Sequence, residues 1–130
     1  MASLVPYLFV YGSLKRDGEP AAHQALAEGA HFLREASIAA RLYQAEGWPA
    51  AVPSDDPAQR VHGEAYELRD PAATLARLDA WEGPGYERRL VPVLFKDQGF
   101  EIECWAWLWT GAVDEASRIP SGRWKRDEAP

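Results

Sequence analysis

Residues 8–18 read LFVYGSLKRDG. Leu8 to Tyr11 form an apolar, aromatic run with the side-chain content of a buried strand, and the run stops at Gly12. A glycine at a strand end permits backbone geometry closed to other residues and leaves room for a ligand to approach. Successive amides at such a bend can form an anion-binding nest, while Gly and Ser are also ordinary turn residues. The stretch has neither the glycine spacing nor the Lys-Ser/Thr ending of a phosphate loop. Ser13 sits in no G-x-S-x-G elbow and has no identifiable histidine base. A plain turn and a backbone cradle both stay open on these residues alone.

Outward from this stretch the pattern is mostly strands. Pro20 opens a short helix that continues through AAHQALAEG to Gly29. In HFLREASIAARLYQ (31–44), Ala36, Ile38, Ala40 and Leu42 share one face of a strand. EGWPAAVPSDDP (46–57), with Gly47, Pro49, Pro53 and Pro57, reads as a turn-rich loop. VHGEAYEL (61–68) reads as a strand in which Gly63 weakens the interior or admits a close backbone. RRLVPVLF (88–95) and FEIECWAWLW (100–109) read as two strands joined by a KDQG turn. In the second, Ile102, Cys104, Ala106 and Leu108 face one way and Trp105, Trp107 and Trp109 the other, so both faces are expected to be covered. Strands and helices do not alternate regularly. The expected fold class is therefore α+β: a small mixed, mainly antiparallel β-barrel with flanking short helices. One domain is expected over residues 1–124, followed by a polar tail over 125–130.

Composition narrows the function classes. A chain of 130 residues, 47% apolar, suffices for one core. No apolar run approaches bilayer length, and the start MASLVPY lacks a basic region followed by a long apolar one, so neither a membrane span nor a signal peptide is expected. The net charge is −6 and the basic clusters are short, which argues against nucleic acid as a partner. The three histidines are far apart and have no metal-ligand spacing with the lone Cys104, so no metal site is expected. A single cysteine suits a reducing, cytoplasmic setting.

The second helix carries an anomaly. Asp70 and Pro71 are a helix start, and AATLARLDAWE runs to the stop at Gly83-Pro84-Gly85. Leu75 and Leu78 form its apolar stripe, and the next position on that stripe is Glu82, with Trp81 beside it. A carboxylate in a partly desolvated site has a raised pKa and can both take and give a proton near neutrality. The helix C-terminus pushes the same way. Spacing alone leaves open whether Glu82 occupies such a site or turns outward at a fraying end. Asp79 falls off the stripe. Glu64, in a strand, is a second candidate or a solvent-facing residue.

LFVYGSLKRDG, ARLYQAEGWPAAV, VHGEAYEL, LDAWEGPGYERRLVPV and RIPSGRW occur in that order over nearly the whole chain. Together they resemble the gamma-glutamylcyclotransferase-like family, in its short AIG2-like branch. The resemblance implies a small mixed barrel with flanking helices. It implies that Tyr11, Gly12, Ser13 and Leu14 form a substrate-binding loop whose amides hold a γ-glutamyl group. It makes Glu82 the catalytic acid/base, has Tyr86 line the pocket, and puts Gly47, Trp48 and Pro49 in a loop near it; the family often has tyrosine where Trp48 stands. The implied reaction needs no cofactor: the substrate's α-amine attacks its own γ-amide carbonyl and releases 5-oxoproline and an amine. The implied partner is a small γ-glutamyl compound. Family members acting on γ-glutamyl amino acids commonly carry an asparagine between the serine and leucine of the loop, whereas here Leu14 follows Ser13 directly. The leaving amine is left open, as is the oligomeric state. The alternative to an enzyme is a non-catalytic module of the same fold that binds a small carboxylate. A third reading is a partner surface built on exposed aromatics such as Trp48 or Trp124.

Overall fold

A computed structural model describes residues 4–96 and 98–124; the polar tail expected over residues 125–130 lies outside the described residues. Among the described residues six strands and two α-helices follow one another as β1 (Tyr7–Val10), α1 (Pro20–Ala27), β2 (Ala30–Ala45), β3 (Trp48–Pro53), β4 (Arg60–Leu68), α2 (Pro71–Glu82), β5 (Tyr86–Phe95) and β6 (Glu101–Trp109), with a short 3-10 turn at Glu115–Ser117.

The strands form one sheet in the order β3-β2-β4-β1-β6-β5, and β2 also pairs with β5. That second pairing, Ala36 with Phe95 and Ser37 with Leu94, closes β2, β4, β1, β6 and β5 into a five-stranded barrel and leaves β3 as an extra strand on its rim. The barrel is mixed because β1 runs parallel to β6, while the other pairings are antiparallel. β2 serves two neighbours along its length, and its register with β4 shifts between Phe32 and Arg34. A bulge of this kind bends a strand and sharpens its twist, which a small closed barrel requires.

The two-residue period sorts the side chains. Phe9, Tyr11, Ala36, Ile38, Ala40, Leu42, Val61, Ala65, Val93, Cys104, Ala106 and Leu108 fill the barrel. Alternate residues Leu8, Val10, Tyr66, Leu68 and Trp107 point outward and pack with Leu26 of α1 and Leu75 and Leu78 of α2. Both faces of β6 are thus covered, as its alternation implies. Asp70 caps α2 by accepting a hydrogen bond from the Ala73 amide, and Pro71 takes the first helical position.

The structure corrects two expectations. The segment beginning at Trp48 is a strand, not a loop: β3 pairs with β2 from Ala45–Trp48 to Ala40–Pro53. Its prolines are tolerated because β3 is an edge strand, where a missing amide need not break a ladder on both sides. The hairpin turns on Glu46 (φ 54°) and Gly47 (φ 85°), the positive pair that a two-residue I′ turn demands. Trp124 is buried in the barrel core and offers no partner surface.

Leu78 is fully buried where α2 meets the sheet, and it anchors the helix that ends in Glu82. Leu78→Ala is expected to cost about 2–5 kcal/mol of unfolding free energy, seen as a lower denaturant midpoint with an unchanged slope.

Candidate active site

At one mouth of the barrel the ends of β1, β2, β3, α2, β5 and β6 surround a cavity of about 750 Å3. The loop after β1 contributes Gly12, Ser13 and Leu14; the β2–β3 hairpin contributes Glu46, Trp48 and Pro49; the end of α2 contributes Trp81 and Glu82. The start of β5 contributes Tyr86, and the end of β6 contributes Trp107 and Trp109.

The loop after β1 is bent back on itself by its carbonyls. Gly12 O accepts from the Lys15 amide at 3.0 Å and Ser13 O from the Glu19 amide at 2.9 Å. Leu14 O lies 3.0 Å from His23 Nδ1, and since a carbonyl can only accept, His23 carries its proton there. Beyond the loop, Glu64 accepts from the Arg16 amide (3.0 Å), Arg16 Nε (3.1 Å) and the Tyr66 hydroxyl (2.9 Å). Glu64 is therefore a buried fastener of this loop and does not face solvent. Gly12 is needed for packing rather than for a left-handed backbone. A Cβ built on it would lie 2.5 Å from Cγ of Pro49, and Gly12 is not among the glycines with positive φ. The bare Cα lets the loop touch the hairpin.

Two tyrosines tie the wall together. Tyr11 donates its hydroxyl proton to Trp107 O at 2.7 Å and accepts from the Ala51 amide at 3.2 Å. Tyr86 donates to Pro49 O at 2.6 Å and packs edge-on against Trp109, ring centroids 5.2 Å apart. Burial raises the pKa of both hydroxyls, and the charge of Glu82 adds to the rise in each. Both phenols stay protonated and serve as fixed hydrogen-bond donors.

Glu82 does not fray outward: its half-buried carboxylate forms part of the cavity wall. Burial, reinforced by the neighbouring negative charge of Asp79, pushes its pKa up to about 7. Asp79 is held in place by Arg88, whose Nε and Nη2 donate to its two oxygens at 2.9 and 3.1 Å, and by Trp107 Nε1 at 2.8 Å. A carboxyl poised near neutrality can exchange a proton with a bound substrate.

Of the residues singled out in the sequence, Tyr11, Gly12, Ser13, Leu14, Trp48, Pro49, Glu82 and Tyr86 all line this one cavity. Gly47 does not; it serves the turn that places Glu46 and Trp48 at the rim. Sequence reasoning missed Glu46 and Glu19 as lining residues and Glu64 as the loop's fastener. The signal for Glu46 was its place beside Gly47 in a hairpin turn, hidden once the segment was read as a loop.

The cost of placing a carboxylate here has a definite sign. Below pH 4.5 the Glu82 carboxyl is neutral in both folded and unfolded chains, and its burial costs nothing extra. Between pH 4.5 and about 7 the unfolded chain ionises first, so folded stability falls, and above about 7 the full penalty is present. Glu82→Gln should therefore melt with the wild type under acid and several degrees above it at pH 8, read by thermal unfolding across that range.

A family model described as gamma-glutamyl cyclotransferase, AIG2-like, matches residues 8–126. A Methanocaldococcus jannaschii protein named "Putative gamma-glutamylcyclotransferase" is 29% identical over 104 residues, covering 79% of this chain and 83% of that protein. The crystal structure of a mouse AIG2-like protein superposes with a TM-score of 0.66 at 25% identity, over 86% of this chain and 81% of that one. YkqA of Bacillus subtilis shares the fold at a TM-score of 0.72 and 24% identity; the match covers 92% of this chain but only 39% of YkqA.

Proposed function

Because the chain belongs to the gamma-glutamyl cyclotransferase, AIG2-like family, we propose that it cyclises a small γ-glutamyl compound to 5-oxoproline and a free amine, with Glu82 as the general acid/base. The observation that carries this reading is the pairing of Glu82, its pKa near 7, with the Gly12–Leu14 loop on the wall of one cavity.

The reaction asks little besides positioning and proton transfer. Attacking and attacked atoms sit in one molecule, so the entropy of bringing them together is largely met by the substrate itself. The Glu82 carboxylate takes a proton from the substrate's α-ammonium. The freed nitrogen attacks the γ-carbonyl carbon, a C–N bond forms, and charge gathers on the carbonyl oxygen. The γ C–N bond then breaks as the Glu82 carboxyl protonates the leaving nitrogen, and the regenerated carboxylate takes a second proton from the ring nitrogen and passes it to the released amine. Of the three α-ammonium protons, one stays on the lactam nitrogen and two depart with the amine. No water is consumed, and net charge is unchanged.

The carbonyls of Gly12, Ser13 and Leu14 are engaged within the protein. In this reading the amides of that loop receive the substrate's carboxylate, or stabilise the developing oxyanion. Among the described residues no lysine, arginine or histidine lines the cavity, so in this reading backbone amides supply the anion recognition. The Ser13 hydroxyl is given no nucleophilic role, since among the described residues no histidine lines the cavity beside it.

The rim bears on the leaving group. Glu19 and Glu46 line the cavity along with Glu82, and Trp48 and Trp81 stand half exposed, 57% and 49%, at its edge. Among the described residues Glu46 is the one non-glycine residue held at positive φ, a strained conformation that Asn or Gly would relieve. Acidic and aromatic groups favour a cationic amine over one bearing a carboxylate. The expected leaving group is therefore an amine with a second positive charge and no acid group.

Incubation with γ-glutamyl derivatives of a diamine, of a neutral alkylamine and of an amino acid, followed by 5-oxoproline analysis, tests both levels. The diamine derivative should give the highest kcat/KM and the amino-acid derivative the lowest. Glu82→Gln, which keeps the shape but not the proton acceptor, should lower kcat by about 100-fold or more. Turnover surviving that substitution rules out the assigned acid/base. Binding without turnover across the panel would favour a carboxylate-binding module.

A further inference from the structure

The RIPSG segment at 118–122 takes no part in the cavity described above, yet it is built into the barrel. The Ile119 amide donates to Leu42 O at 2.7 Å, and the His62 amide to Gly122 O at 2.8 Å, so the segment bridges β2 and β4. Gly122 sits at φ 69° with its Cα pressed against the carbonyl of Arg60, a close approach no side chain would allow. Between this segment and the two strands lies a second cavity of about 200 Å3, which shares no lining residue with the first.

Its wall has the opposite charge. Arg41, Arg60, His62 and Arg118 line it, and among the described residues no aspartate or glutamate does. All four are half-buried. Among the described residues none of the three arginines forms an ion pair, although the chain is acidic overall. Arg41 Nε is buried with no hydrogen-bond partner among the described residues. Arg60 is anchored by its Nε on Ser37 Oγ (3.0 Å) and its Nη2 on Ser37 O (2.9 Å), and among the described residues its Nη1 has no hydrogen-bond partner. The Ser121 hydroxyl accepts from the Arg123 amide and keeps its own proton to donate. The carboxylates facing this region are engaged or distant: Glu115 accepts from the Tyr43 hydroxyl at 2.7 Å, and Glu101 and Glu35 act on Arg60 and His62 only through space.

A buried guanidinium nitrogen without a partner is costly, and three guanidiniums around one concavity repel one another. An oxyanion resolves both, because guanidinium forks match tetrahedral phosphate oxygens with charge-assisted hydrogen bonds. We propose that the cavity formed by Arg41, Arg60, Arg118 and Ser121 is a binding site for a phosphate group, carried either by free phosphate or by a phosphate monoester. This site is independent of the reaction proposed above.

The test uses the full chain and inorganic phosphate, with chloride at equal ionic strength as the reference. In 1H–15N spectra, phosphate should shift the Nε–Hε signals of Arg41 and Arg118 and the amides of Ser121 and Gly122 along one saturable curve. Arg118→Gln and Arg41→Gln should each weaken binding at least tenfold. Arg89→Gln, at an exposed arginine paired with Glu87, should leave it unchanged. Arg41→Lys keeps the charge should Arg41→Gln fail to fold, and should still weaken binding at least tenfold by losing the fork. A parallel titration with phenyl phosphate separates the two sources: tighter binding than phosphate assigns the site to esters, equal or weaker binding to the free ion, and both support it. Equal effects of phosphate and chloride, or a phosphate response untouched by the arginine variants, would overturn the proposal. So would a tenfold gain in phosphate affinity on changing Asp127 and Glu128 to Asn and Gln, because the chain's own acidic end would then be the occupant.

Discussion

Everything at the candidate site depends on the closure of one sheet by one long strand. β2 is 16 residues long and pairs with β3, β4 and β5 in turn. Its contact with β5 involves only two paired positions, but without it the sheet would be open and the ends of β1, β5 and β6 would not face the β2–β3 hairpin. The barrel is narrow, and its interior is filled by large residues such as Phe9, Ile38 and Leu42 interleaved with Ala36, Ala40 and Ala65. A small molecule therefore has no room inside. The cavity forms at the mouth, where strands end, and its wall is made of strand termini and turns.

Charge is segregated on the same scaffold. The larger cavity is lined by carboxylates and aromatic rings, the smaller by guanidiniums and an imidazole. Burial, reinforced by the charge of Asp79 behind the wall, keeps the pKa of Glu82 high and suits it to carry a proton. The arginines of the second cavity do not line the first, and none of them lowers the pKa of Glu82. Net charge alone conceals this division.

Most of the fold was legible in the sequence because alternation, helix caps and turn glycines are local signals. The face shared by Ala36, Ile38, Ala40 and Leu42, the start of α2 at Asp70-Pro71, and the two covered faces of β6 all follow from spacing. The strand Trp48–Pro53 was hidden because proline content signals a loop unless the strand lies at an edge, and edge position is a property of the whole sheet. Glu82 was visible as a carboxylate on an apolar stripe. The burial of Glu64 and Trp124 was not, since both are covered by segments distant in sequence. Gly12 was singled out for its backbone freedom, while the packing reason, a proline 37 positions away in the chain, depends on tertiary contact.

The fold holds one carboxyl, Glu82, in a desolvated wall where its pKa lies near neutrality. The most direct measurement is a titration of the Glu82 side-chain carboxyl by 13C NMR, run alongside the pH dependence of kcat/KM for 5-oxoproline release. The carboxyl should titrate with a midpoint near pH 7, and kcat/KM should rise through the same pH. A Glu82 midpoint near 4.5, with an activity profile indifferent to it, would contradict this.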